Sequence, residues 1–463
     1  MPAPGADAMT AVEQRVAAPT ISAQLADFVR DLRYEDIPEP VIAHTKELLA
    51  HQLGLALSGQ RDESARRAVQ LAQQLSGPGG ACTIVGDRGR ADLLDAVFAN
   101  AFLLGHDGRD DVIMPSGVHP GIIVEPVAWA VGETTAATGR ELLVAIVAGY
   151  EVMTRLCGSV WTWGAHVPRR PNNVVAPFGA AATAARLMSL SRAQTVSALG
   201  HAGQLSTGNA EGTEQLTTCH PLLARNGVTA AILASLGVPA AAEIIEGPNG
   251  VYRSYFFQDA PPDLAAGLDS PQREFAIKHA GLKRRIGSEL NMVAMELAQH
   301  VIESRGLRPA AIERVDIALP VERRAREEVW EAELAAGACG TDMRVGALRF
   351  RIANILADAD IDTMRFRQAP DAEILGLLER IQLKYEDGHP IRYARLVVTM
   401  RNGHTYSAEG DTHVIEPLNW AEWLSESGRG VLSERRLKRV AQLIVDLEDS
   451  TVPELMEAVV PDE

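Results

Sequence analysis

Aromatic side chains are scarce in this chain: Phe, Trp and Tyr together make up 5% of 463 residues. An aromatic-rich β-sandwich core is therefore excluded, and the interior must be built from small aliphatic side chains, which suits close-packed helices. Cysteine is also sparse. The four present, Cys82, Cys157, Cys219 and Cys339, lie far apart with no C-x-x-C pair. This argues against a zinc ribbon or a disulfide framework and fits a reducing compartment. Positive charge is in deficit, with 44 Lys and Arg against 60 Asp and Glu and a net charge of −16. That balance disfavours nucleic acid or an anionic membrane as the main partner. An anion can still be held where basic residues cluster locally. No apolar run approaches the roughly 18–20 residues that span a bilayer. The first residues, through Pro19, lack the basic-then-apolar order of a secretory signal. A cytoplasmic location is expected.

What is abundant is small and apolar: hydrophobic residues reach 46%. Leu25, Phe28, Val29 and Leu32 step by three and four, as do Leu142, Ile146, Val147 and Tyr150, and each set predicts one face of a helix. The runs Phe178–Ala185 and Val228–Ala234 are so rich in small residues that they predict central helices approached closely from several sides. The pattern changes near Pro271. Arg314–Leu319 and Ile381–Tyr385 alternate as strands do, and Leu396–Met400 and Thr405–Ala408 flank Asn402-Gly403, a hairpin signal that suits a type I′ turn. The expected fold is mainly α: a large all-helical domain (20–271), a smaller α+β domain (272–409), and C-terminal helices (410–463) returning to the first. Gly77-Pro78-Gly79-Gly80 and Gly247-Pro248-Asn249-Gly250 lack the Gly-Lys-Ser/Thr of a P-loop, and Gly203–Gly208 lacks nucleophile-elbow spacing.

One polar cluster interrupts the apolar helices: Gly105-His106-Asp107-Gly108-Arg109-Asp110-Asp111, followed by His119-Pro120-Gly121. Ionisable groups crowded into an apolar frame carry a desolvation cost, so they usually reach water or take part in chemistry. His106-Asp107 has the form of a metal-binding doublet, but no further His and Asp stand at the spacing a metal needs, and no metal site is expected.

Further motifs accompany this cluster: Asn100-Ala101-Phe102, Val147–Val152, Pro177–Ala182, Ala198–Gly203, His220-Pro221, Asn226-Gly227 and Ile277-Lys278. In their order and spacing, from about residue 21 onward, the chain resembles the MmgE/PrpD family, which includes 2-methylcitrate dehydratase, cis-aconitate decarboxylase and iminodisuccinate epimerase. The resemblance implies a helical domain with an α+β lid, a homodimer, no organic cofactor, and a small di- or tricarboxylate substrate. It implies proton transfer at a carbon beside a carboxylate, which demands a base within about 3 Å and cations or donors to hold the enediolate charge.

Carried over residue by residue, the resemblance places His119 at the family's catalytic histidine and Asp110 and Asp111 in its Asp-rich run. The leading Asp of that run falls on Gly108, with Asp107 beside it as a substitute. Lys278 falls on the lysine that opens the lid segment, and His220 on the histidine of a His-Pro pair. His166, Arg169 and Arg170 stand in an extended loop before a helix, where two arginines and two amides suit an anion. The family's Lys-x-Tyr-Pro…Cys…Thr-His pattern is replaced by the stretch from Lys278 to Gly287, with Gly287 at the expected histidine and a dense basic group, Lys283, Arg284 and Arg285, in its place. Arginine's planar fork suits bidentate carboxylate binding, although a charge run equally fits a solvated face. The family's lysine before His-Pro is Thr217, and a lid tyrosine is Phe350. These departures point to an altered substrate. The expected function is a cofactor-independent lyase, dehydratase or decarboxylase, acting by α-proton abstraction. An epimerase or isomerase on the same substrates is the second reading, a catalytically degraded binding protein the third, and a metal-dependent hydrolase the fourth.

Overall fold

The computed structural model describes residues 19–113, 116–158, 171–208, 216–283, 285–335, 347–363, 365, 369–411 and 419–462. The architecture is mainly helical with a smaller α/β part. Among the described residues nine α-helices precede residue 236: α1 (Ile21–Asp31), α2 (Glu39–Gly59), α3 (Glu63–Ser76), α4 (Leu93–Leu104), α5 (Gly121–Thr134), α6 (Gly139–Gly158), α7 (Pro171–Leu187), α8 (Arg192–Gln204) and α9 (Leu216–Ser235). The local reasons are conventional. Thr20 starts α1 by accepting a hydrogen bond from Ala23 N at 3.1 Å. Its buried face carries Leu25, Phe28 and Val29. Ser191 and Gln194 form a reciprocal capping box on α8.

Small residues let the central helices meet at backbone distance. A Cβ on Gly227 of α9 would lie 2.2 Å from the Ala180 Cβ and 2.6 Å from the Pro177 carbonyl oxygen of α7. One on Gly149 of α6 would lie 2.1 Å from Thr183 Oγ1, also of α7. Helix α7 is therefore locked between α6 and α9, and its first turn, Pro171–Asn173, is buried with it.

Four short strands serve this helical part. β1 (Cys82–Thr83) pairs with β2 (Arg90–Ala91), and β3 (Val112–Ile113) pairs antiparallel with β4 (Ala280–Gly281), joining segments far apart in sequence. Beyond β4, helices α10 (Met292–Arg305), α11 (Arg324–Ala335), α12 (Leu348–Asp358) and α13 (Ala372–Leu378) accompany a sheet of β5 (Ile312–Pro320), β6 (Ile381–Glu386), β7 (Ala394–Met400) and β8 (Thr405–Gly410). Its order is β6-β5-β7-β8, with β5 and β6 parallel and the other pairs antiparallel. The buried apolar residues of this sheet and its helices, from Val293 to Met400, form a cluster separate from the one that runs from Ile21 to Ala280.

The β7–β8 hairpin stands where the alternation placed it, but its turn differs from a type I′. Gly403 N donates to Met400 O at 2.8 Å, Met400 N donates to His404 O at 2.8 Å, and Gly403 takes φ 83°. This is a three-residue loop with glycine in the left-handed position, the commonest alternative to the two-residue turn.

The C-terminal helices α14 (Trp420–Gly428), α15 (Glu434–Val445) and α16 (Val452–Ala458) bury their apolar faces in the first cluster. Trp423 of α14 donates its indole N–H to His51 O of α2 at 3.1 Å. Among the described residues no helix is long and apolar enough to cross a membrane.

Candidate active site

Helix α4 stops at Gly105, and the following polar loop folds over α2 before entering β3. Two turns of hydrogen bonding then reverse the chain: Ile113 N donates to Val118 O at 2.9 Å and Gly117 N to Ile113 O at 2.8 Å. The reversal brings His119, immediately before α5, back against Asp110. Asp110 Oδ2 lies 2.9 Å from His119 Nδ1. An ionised Asp110 can only accept, so the proton between them sits on Nδ1 and the basic lone pair of the neutral ring is on Nε2. His119 is partly exposed while Asp110 is buried, so the imidazole is the member of the dyad that can meet a ligand.

Two more segments close on this dyad. Lys283, just past β4, donates from Nζ to Gly108 O at 2.8 Å and stands 3.8 Å from Asp110 Oδ1. Burial alone would raise the Asp110 carboxyl, but the Lys283 charge and the hydrogen bond from His119 outweigh it and hold Asp110 well below the usual carboxylate range. From the first turn of α7, Asn172 Oδ1 accepts from the His119 backbone N at 3.1 Å. Asn172 Nδ2 donates to His220 Nε2 at 2.8 Å. One amide thus links the His119 backbone to the His220 ring.

The neighbouring Asp111 faces inward. Its Oδ1 accepts from Gly121 N at 2.8 Å and from Gln52 Nε2 at 3.0 Å, so it caps α5 and anchors the turn that carries His119. Burial pushes the Asp111 carboxyl up to about 7, and the Asp110 charge pushes the same way. Between about pH 4 and about pH 7 the folded chain therefore keeps a proton that the unfolded chain has released. The contribution of this raised group is intact below pH 4 and is lost as pH rises toward 7, at about 1.4 kcal/mol per pH unit within the window. Asp111→Asn keeps an oxygen acceptor for Gly121 and removes the titration. Its stability relative to the unsubstituted chain is expected to climb across that window in urea melts taken at successive pH values. A pH-independent difference would show that Asp111 does not titrate there.

A third group supports the loop from outside. Arg109 Nε donates to Asp107 Oδ2 at 2.7 Å, His106 Nε2 lies 3.1 Å from the same oxygen, and the Arg109 guanidinium sits 4.9 Å from the Trp423 ring centroid. His51 stacks on the other partner of that contact, with its ring centroid 4.9 Å from Trp423, and bonds Arg109 O through Nε2 at 2.9 Å. Burial pushes His51 down to about 4, so it is a neutral prop at physiological pH.

The structure thus brings together His119, Asp110, Lys283 and His220. It separates others that sequence reasoning grouped with them. Asp107 is bonded to His106 and Arg109 rather than to His119, so of the two expected carboxylates only Asp110 contacts the histidine. Burial opposes the Asp107 charge, but His106 and Arg109 hold it well below the carboxylate range. Lys278 is exposed, its Nζ 3.3 Å from Glu274 Oε1. The 3₁₀ turn Ala276–His279 directs it to solvent, and the β3–β4 pairing brings in Lys283 five residues later instead. Arg285 pairs with Asp362 near α12. Phe350 is buried in the apolar cluster of the α/β part. His166, Arg169, Arg170 and Arg284 lie outside the described residues. Among the described residues no group of three or more His, Cys, Asp or Glu is arranged to hold a metal ion. Asp111 belongs to the Asp-rich run and Asn172 to the amide pair of the loop before α7, whereas Gln52 is a site neighbour that sequence reasoning missed. The legible signal for Gln52 was an amide amid the otherwise apolar stretch of α2, where an unpaired polar group would be costly.

A mainly helical chain whose chemistry is gathered on the loop between α4 and α5 defines the class. Residues 23–263, just over half of the chain, match the MmgE/PrpD N-terminal domain, and the chain belongs to the MmgE/PrpD family. It is similar to the cis-aconitate decarboxylase-like protein oryM of Aspergillus oryzae, 27% identical over 252 residues, which cover 51% of this chain and 52% of that protein. It is also similar to the cis-aconitate decarboxylase of Aspergillus terreus, 25% identical over 276 residues and 56% of each chain. The matched segments span about half the length of these curated relatives.

Proposed function

We propose that this chain is a cofactor-independent lyase acting on a small di- or tricarboxylate: His119 Nε2 takes the α-proton as the hydroxyl leaves as water in a dehydration, or the protonated His119 returns a proton to the carbon that loses carbon dioxide in a decarboxylation. The observation that carries this reading is the Asp110–His119 contact at 2.9 Å, which leaves the partly exposed imidazole basic at its outer nitrogen. Asp110 stabilises the imidazolium that forms, and Lys283 keeps Asp110 ionised in a buried setting. The names of the two curated relatives support a decarboxylase-type lyase.

The cations that would meet the substrate carboxylates are Arg169, Arg170 and Arg284. The first two precede Asn172 by three and two residues, and the third follows Lys283 directly. Lys283 itself is engaged with Gly108 and Asp110, so its charge supports the dyad. One observation favours epimerisation as the second outcome: His220 is a second imidazole, held by the same Asn172 amide that accepts from the His119 backbone N–H. Inversion at carbon needs a proton donor as well as a base.

Incubation of the protein with candidate polycarboxylates in heavy water tests the reading. Deuterium at the α-carbon, detected by NMR, is expected for at least one substrate, and loss of water or carbon dioxide distinguishes lyase from epimerase. No incorporation across the panel would refute proton abstraction.

A further inference from the structure

Behind the dyad lie polar groups that the mechanism above does not use. Glu125 stands on α5 one turn beyond Gly121, the residue whose N–H is held by Asp111. Both carboxyls are completely buried. Asp111 Oδ2 and both Glu125 oxygens have no hydrogen-bond partner among the described residues. The Tyr150 hydroxyl of α6 approaches Asp111 and the Trp129 indole N–H of α5 approaches Glu125, but neither reaches full hydrogen-bond geometry. Three carboxyls, Asp110, Asp111 and Glu125, therefore sit in series from the imidazole inward. Lys283 is the cation that acts on Asp110 and, more weakly, on Asp111.

We propose that Asp111 and Glu125 act as one buried acid pair that always keeps at least one proton at neutral pH and so sets the charge behind the His119–Asp110 dyad. The inference rests on His119 being the base, because only then does the charge behind its partner bear on the reaction. Two ionised carboxylates in a dry interior, one held through a single oxygen and the other through neither, repel each other and are poorly solvated, so one of them remains an acid.

The groups facing the pair are few. Asp111 meets Asp110 beside it, Gln52 from α2, the Gly121 N–H and Glu125 from α5, Tyr150 from α6, and Lys283 after β4. Glu125 meets Asp111 and Trp129. Among the described residues no full positive charge faces Glu125, and burial followed by the Asp111 charge raises it well above the usual carboxylate range. Glu125 is thus the member that stays protonated, and Asp111 is the member that titrates. When Asp111 loses its proton, a second negative charge appears beside Asp110, and the imidazolium of His119 is more strongly held. Asp111 is in this sense a positioning residue. It fixes the His119 turn through Gly121 and tunes the dyad through its charge.

Infrared spectroscopy of the full chain reads this without any substrate. At about pH 8, above the Asp111 midpoint, one buried carboxylic-acid C=O band is expected. It should shift when glutamate is carbon-13 labelled and disappear in Glu125→Gln. A second band should grow in as pH falls through neutrality and be missing in Asp111→Asn. The labelled wild-type protein answers the question even if Glu125→Gln does not fold. A spectrum with no acid band at about pH 8, or a band that ignores the glutamate label or survives in Glu125→Gln, overturns the proposal. A positive infrared result with no deuterium exchange in the substrate panel would refute the assignment of function instead and leave the acid pair standing.

Discussion

Replacing His119 by glutamine is expected to reduce deuterium incorporation at the substrate α-carbon by about 10²–10⁴-fold, the range that a positioned general base contributes. Glutamine fills a similar volume and can still donate toward Asp110, so the loop from His106 to Gly121 should keep its course. Its amide cannot accept a proton near neutral pH, which isolates the chemical role from the structural one. The backbone N–H at this position still reaches Asn172 Oδ1, because that bond does not involve the side chain. Circular dichroism and urea midpoints near those of the unsubstituted protein would accompany the loss. Exchange within a few-fold of the original rate would remove His119 from the reaction.

Lys283→Met is expected to cost about 3–5 kcal/mol of stability, the usual result of removing one partner from a buried, hydrogen-bonded charge pair. The side chain of Lys283 is only 5% exposed, and its ammonium both donates to Gly108 O and offsets the Asp110 charge. Methionine fills the space but leaves Asp110 ionised with one cation fewer, or protonated and unable to stabilise an imidazolium. Activity should therefore fall along with stability. Lys278→Ala is the matched control. Its side chain is 57% exposed beside Glu274, so both stability and exchange should stay close to those of the unsubstituted chain. If Lys283→Met unfolds no earlier than Lys278→Ala in urea, the cation supporting the dyad is not Lys283.

That pair of lysines shows where reading the residues in order reaches its limit. The helical faces were legible because burial imposes a period of three to four residues, and Leu25, Phe28 and Val29 are buried as that period requires. The sheet strands were legible from alternation, and the hairpin from Asn402-Gly403. The turn type was not, because a three-residue loop and a two-residue loop use the same glycine. His119 and Asp110 stood out because only eight residues separate two ionisable groups between apolar helices. Lys283 could not be told from Lys278, since only the pairing of Ala280-Gly281 with Val112-Ile113 decides which lysine turns inward. Asn172 and His220 are 48 residues apart and meet only because α7 and α9 pack through small residues.

Local chemistry was thus written into the order of residues: which segments coil, which extend, which loop gathers acids and imidazoles. Those are consequences of forces acting over a few neighbours. The partners of each charged group came from packing between distant segments, where direction and distance are set by helices and strands that share no local sequence. Asp110 rather than Asp107 meets His119, and Asp111 turns toward Gly121 and Gln52, because the fold leaves each carboxyl a different set of neighbours.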